Sequence, residues 1–134
     1  MPDGRPVQVV FDRSAVAAFV KQSLAVGEMI AVLVDDDVDF GVPVTVLAEA
    51  SLAASGADAD MLNHLVRHVA FVPLGLSGER WTELAAVAER LESVEPAVVL
   101  HTAESLDAYV LTAVPGDYAG PDGARADRVI AIEK

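Results

Sequence analysis

The chain contains no cysteine, which excludes disulfides and thiolate metal sites and removes any chemical argument for an oxidising compartment. Basic residues are also scarce. Nine Lys and Arg face 21 Asp and Glu, the only lysines are Lys21 and Lys134, and the formal net charge is −12. Nucleic-acid binders usually present a basic patch. Here a polyanion approaches against the average field unless cations or a basic partner intervene. Aromatics make up 5% of the residues against 53% hydrophobic overall, so the expected core is one of Ala, Val and Leu. No apolar run approaches the roughly 20 residues that span a bilayer. The opening Met1-Pro2-Asp3-Gly4-Arg5 lacks the basic flank and apolar stretch of a signal peptide. The expectation is a cytoplasmic protein without a membrane segment, with residues 1–134 forming one domain around one core.

The chain is organised around Val7-Gln8-Val9-Val10-Phe11, which ends in Asp12-Arg13-Ser14. A run this apolar suits a strand covered on both faces, as in the middle of a parallel sheet. Ser14 is the expected N-cap of a helix through Ala15-Val16-Ala17-Ala18-Phe19-Val20. Ligands of open α/β sheets bind beyond the carboxyl ends of the strands, and that is where Asp12 falls.

Further along, Val26, Met29, Ile30 and Leu33 repeat at helical spacing, predicting a helix over 24–34. Asp35, Asp36, Asp37 and Asp39 follow and are assigned to a solvated loop, since acids oppose the dipole of a helix C-terminus. Gly41-Val42-Pro43-Val44 reads as a short strand, with Pro43 suited to a first or edge-like position. Thr45 is placed to cap a helix over 46–54, and Gly56 marks its stop. Asp58 opens the next helix, where His64 and His68 stand four apart; without a third ligand they read as ordinary histidines. Residues 69–74 form a third strand. A long helix over 77–92 carries the stripe Trp81, Leu84, Ala85, Ala88 and Leu91, which assigns Trp81 to the core. Pro96 starts a helix over 97–106, residues 108–112 form a fourth strand, and a turn-rich segment over 115–123 leads to a last strand over 129–132. Strands alternating with helices predict an α/β fold with a parallel sheet.

Three features together resemble the PIN domain family: strand-Asp12-Arg13-Ser14-Ala15, Glu49 in the helix after the second strand, and Ala108-Tyr109-Val110-Leu111-Thr112 followed by Pro115-Gly116-Asp117-Tyr118. The resemblance spans nearly the whole chain. It implies a three-layer α/β/α sandwich with a parallel five-stranded sheet ordered 3-2-1-4-5. It also implies a ribonuclease dependent on Mg²⁺ or Mn²⁺, as in the toxins of toxin–antitoxin pairs, acting on RNA with an antitoxin-like protein as partner, and commonly a homodimer. Hard divalent ions take oxygen ligands and keep several waters, and they activate water for phosphodiester displacement. Carried over, Asp12, Glu49 and Asp117 are the catalytic and metal-binding acids, with Ser14 and Thr112 as supporting hydroxyls.

The sequence also departs from that pattern. The family's third acid falls where this chain has Val98 or Val99, with Glu95 about one turn before and Glu104 nearly two turns after. After Thr112, where an acid usually follows closely, come Ala113 and Val114. Arg13 beside Asp12 is a salt-bridge partner able to neutralise a carboxylate. Two readings result: a divalent-metal ribonuclease of the toxin type, and a degenerate PIN-like module that acts by protein binding or oligomerisation. A phosphoacceptor domain with Asp12 as acceptor fits poorly, because neither lysine stands where that chemistry needs one. In a purely structural reading, Asp12 caps the next helix and Glu49 pairs with Arg13.

Overall fold

The computed structural model describes residues 5–119 and 127–132. Its centre is β1 (Val7–Phe11), whose Val9, Val10 and Phe11 are buried. On one side β1 pairs with β2 (Asp39–Pro43), which pairs with β3 (Phe71–Leu74). On the other it pairs with β4 (Tyr109–Thr112), which pairs with β5 (Val129–Ala131). Every pairing is parallel and the order is β3-β2-β1-β4-β5, as expected. Parallel strands need crossovers, and helices supply those from β1 to β2, from β2 to β3 and from β3 to β4. They are α1 (Arg13–Val20), α2 (Leu24–Asp35), α3 (Val44–Ala53), α4 (Ala57–Val66), α5 (Trp81–Leu91) and α6 (Val94–Leu106). Helix α1 packs on α2, α3 and α4, while α5 packs along α6, which lies against β1, β2 and β4. The result is a three-layer α/β/α sandwich. Among the described residues no single helix is long and apolar enough to cross a membrane.

Small aliphatic side chains fill most of the core, with Phe11 and Phe40 stacked at a centroid separation of 4.7 Å at its centre. Gly41 in β2 is closely approached by the Leu74 side chain, which would have to shift to admit a larger residue. A β-carbon there would lie 2.5 Å from Leu74 Cδ1.

Several local expectations give way to tertiary constraints. Strand β2 begins at Asp39, not Gly41, and Asp39 is buried rather than looped, its carboxylate 2.9 Å from Arg5 Nε. Arg5 also donates to the Val38 carbonyl at 2.8 Å, which ties the start of the chain to this strand. Pro43 is the last residue of an interior strand, not a first or edge residue. It is tolerated because it stands at the N-cap of α3, where the chain leaves the ladder. Thr45 therefore lies inside α3, and no side chain caps that helix. Gly56, at φ 57°, forms the entry to α4 instead of the stop of α3. Trp81 is 67% exposed. It is the first residue of α5, after a 3₁₀ turn over Gly78–Arg80, and packing of the stripe starts only at Leu84. Pro96 is the third residue of α6 rather than the first.

The two histidines part company. Helix α4 ends at Val66, so His68 lies beyond it. The His64 ring faces Phe19 at 6.3 Å, and His68 meets the Phe40 ring edge-on at 5.9 Å. His68 Nδ1 accepts from the Ala70 amide at 3.1 Å, which requires that nitrogen to be unprotonated. Burial, then the nearby His64 and Arg5, hold the His68 pKa below its usual 6.5. The unfolded chain thus takes up a proton that the folded chain resists, and stability falls as pH drops below about 6.5. Urea midpoints measured on either side of that pH should show the loss, and His68→Leu should flatten it.

Candidate functional site

The site grows out of the end of β1. The Asp12 amide still reaches the Leu111 carbonyl at 3.3 Å, so the residue is anchored to β4 as the strand ends. Its backbone is extended (φ −87°, ψ −177°) and it is the N-cap of α1. Asp12, not Ser14, caps the helix, because the helix begins two residues earlier than expected, at Arg13. Asp12 is 4% exposed, and both its carboxylate oxygens accept hydrogen bonds. Its Oδ1 accepts from the Ala15 amide at 2.9 Å and from Ser14 Oγ at 2.6 Å; its Oδ2 accepts from the Tyr118 hydroxyl at 2.8 Å.

Ser14 and Thr112 continue this network. Ser14 Oγ accepts from the Ala113 amide at 2.8 Å and lies 3.2 Å from Thr112 Oγ1. An ionised carboxylate only accepts, so the single Ser14 proton goes to Asp12 and Thr112 must donate to Ser14. Thr112 Oγ1 in turn accepts from the Val114 amide at 2.9 Å. The chain Thr112–Ser14–Asp12–Tyr118 joins β4, α1, β1 and the 3₁₀ turn over Pro115–Tyr118. Tyr118 is 3% exposed. Burial, the charge of Asp12 and their hydrogen bond drive its pKa far above the usual value of 10, so the hydroxyl remains a donor.

Outside the buried network stands Arg13. Its Nη1 lies 3.3 Å from Glu49 Oε2 and 3.4 Å from Glu95 Oε1, bridging α3 and the first turn of α6. All three side chains are about half exposed, so the bridge orients groups more than it stabilises the fold.

Between these groups lies a cavity of about 180 Å³, walled by Asp12, Arg13, Ser14, Glu95, Val99, Val114, Asp117 and Tyr118 among others. Of the three acids expected from sequence, Asp12 and Asp117 are on its wall, while Glu49 is not and is held by Arg13. Val99 lines the cavity where an acid was expected, as does Val114. Glu104 is exposed elsewhere on α6, whereas Glu95 reaches the cavity. Among the described residues no three His, Asp or Glu side chains gather as they would around a metal ion. The donor set as arranged does not match what Mg²⁺ or Mn²⁺ takes: Asp12 has both oxygens engaged, two wall positions are valines, and a guanidinium stands on the same wall.

Tyr118 is the site residue that sequence reasoning passed over. The signal was present, since a tyrosine in a fold with few aromatics needs a partner for its hydroxyl once buried. Which partner it finds depends on the turn at 115–118.

The sheet order and the position of the cavity define a PIN-like fold. The chain superposes on a chain of VapBC2 from Rickettsia felis, solved bound to a DNA fragment from their promoter, with a TM-score of 0.75. The alignment covers 95% of this chain and 100% of that one at 10% identity, a likeness of fold alone. No family model matches the sequence, and neither does any curated protein.

Loss of the Tyr118 hydroxyl leaves Asp12 Oδ2 buried without its partner. Tyr118→Phe should cost about 1.5–3 kcal/mol, the usual range for a hydrogen bond to a charged group, read by urea denaturation. Because the folded state keeps the Tyr118 proton that the unfolded chain releases, wild-type stability should also decline as pH rises above 10, and the variant should lack that component.

Proposed function

We propose that this chain is a PIN-like module that does not cleave RNA and acts through protein contacts, with an antitoxin-like protein and a second copy of itself as its partner classes. One observation carries this reading. The Asp12 carboxylate, the first acid of the family pattern, is committed to three hydrogen bonds inside the protein. Freeing it for a cation means giving up bonds of the kind worth about 1.5–3 kcal/mol each. The valines at 99 and 114 add no ligand, and the net charge of −12 repels an RNA backbone.

The resemblance to PIN toxins and the fold shared with VapBC2 support an antitoxin-like partner. Exposed apolar side chains, including Leu52 at 89% and Trp81, offer contact area for such a protein or for a homodimer. The competing reading, a Mg²⁺- or Mn²⁺-dependent ribonuclease using Asp12, Glu49 and Asp117, draws on the cavity that keeps Asp12 and Asp117 on one wall.

Calorimetric titration of Mn²⁺ and Mg²⁺ into the intact chain and into Asp12→Asn separates the two. The expected result is no submillimolar binding and no RNA cleavage that depends on Asp12. Submillimolar binding that disappears in the variant, with cleavage, would establish the ribonuclease instead. Light scattering of the same samples reports whether the chain self-associates.

A further inference from the structure

The two edges of the parallel sheet are finished differently. In β3 the backbone groups of Ala70, Val72 and Leu74 face β2, so those of Phe71 and Pro73 point outward. The Phe71 amide is bonded to the His68 carbonyl at 3.1 Å, and Pro73 has no N–H to offer. This edge has no donor left for another strand, one of the usual protections against edge-to-edge pairing. In β5 the Arg128 carbonyl accepts from the Val110 amide at 2.7 Å, and the Ile132 amide donates to the Thr112 carbonyl at 2.8 Å. Residues 128, 130 and 132 thus face β4, and the backbone groups of Val129 and Ala131 point away from the sheet. Neither amide meets an acceptor among the described residues, and β5 carries no proline and no charge.

Beside this edge, between β5 and α2, lies a cavity of about 330 Å³. It is lined by Met29 and Val32 of α2 and by Leu111, Ile130 and Ile132 of the sheet, and Glu28 is the charged group on its wall. Side chains alternate along a strand, so a strand added beside β5 sets every second side chain on the face shared by Ile130 and Ile132, over this cavity. Backbone bonds at an open edge and pockets for alternate side chains are the two halves of recognition by strand addition. We propose that β5 is a docking edge for an extended segment of another polypeptide, apolar at alternate positions and net positive in charge. The sign of that charge follows from the surroundings. Glu28 stands at the cavity, Asp35 and Asp36 are exposed at the end of the same helix, and Arg128 is already paired with Asp107. A second copy would bring its own charge of −12 to this edge, which disfavours it as the occupant. The inference rests on the reading that the chain acts through protein contacts, and it says where and in what conformation a partner is held.

The probe is a short synthetic peptide alternating valine with lysine, compared with its valine–glutamate counterpart, both added to the intact chain. The lysine peptide should slow hydrogen exchange at the Val129 and Ala131 amides at least roughly tenfold, read by NMR. By fluorescence anisotropy it should bind at least roughly tenfold more tightly than the glutamate peptide. Ala131→Pro removes one outward donor and leaves the ladder with β4, whereas Val32→Lys places a positive charge at the cavity from a position that is 53% exposed. Each should weaken binding of the lysine peptide about tenfold. Unchanged exchange at the two amides, equal affinity for the two peptides, or binding that survives both variants overturns the proposal. If Ala131→Pro does not fold, Val32→Lys and the exchange data decide. Protection of the two amides that grows with protein concentration and without peptide means that a second copy takes the edge, which overturns the choice of occupant. None of these outcomes touches metal binding, so the non-cleaving reading stands or falls by its own titration.

Discussion

The position of one carboxylate organises the functional end of this molecule. Asp12 leaves β1 with its amide still bonded to β4, turns the chain into α1 by capping that helix, and accepts the Tyr118 hydroxyl from the turn after β4. These roles are compatible because each uses a different atom: the amide donates to the ladder, Oδ1 takes the helix cap and Ser14, and Oδ2 takes Tyr118. A carboxylate so buried needs hydrogen-bond donors, and three are directed at it. The central strand, the first helix and the loop after β4 are thereby held in one relative position, and the cavity between them is a product of that constraint.

The same constraint limits the chemistry. Phosphoryl transfer catalysed by metal ions depends on acids that are close together and free to coordinate. Here the best-placed acid is satisfied internally, a second is drawn away by Arg13, and the cavity wall is interrupted by Val99 and Val114. The cavity lies at the carboxyl ends of β1 and β4, where open α/β sheets bind ligands, and side chains at that location are bonded to one another. The sheet needs only that Asp12 be satisfied and is indifferent to what satisfies it.

Much of the architecture was legible in the chain itself. The Val-rich run before Asp12 announced a central strand, and the alternation of strand and helix patterns announced a parallel sheet. The elements that were misplaced share a cause: their local chemistry pointed one way and their neighbours another. Pro43 reads locally as an edge residue, yet the adjacent helix lets it end an interior strand. Trp81 reads as core by its spacing, but the stripe begins one turn later, and it remains exposed. Asp39 reads as part of a solvated acidic run, and Arg5, 34 positions earlier, draws it into the sheet.

The sequence by itself determined the order of the elements, the burial of β1, the placement of Asp12 at a strand end, and the valines at positions 98, 99 and 114, because these depend on hydrophobic period and residue type alone. It also contained both halves of the Arg13–Glu49 pair. Only the tertiary structure decided that Tyr118 closes on Asp12, that Glu95 rather than Glu104 reaches the cavity, and that Glu49 is turned aside. Those outcomes join residues separated by 36 to 106 positions, and nothing local in the chain encodes which of several acids will meet which donor once the layers are packed.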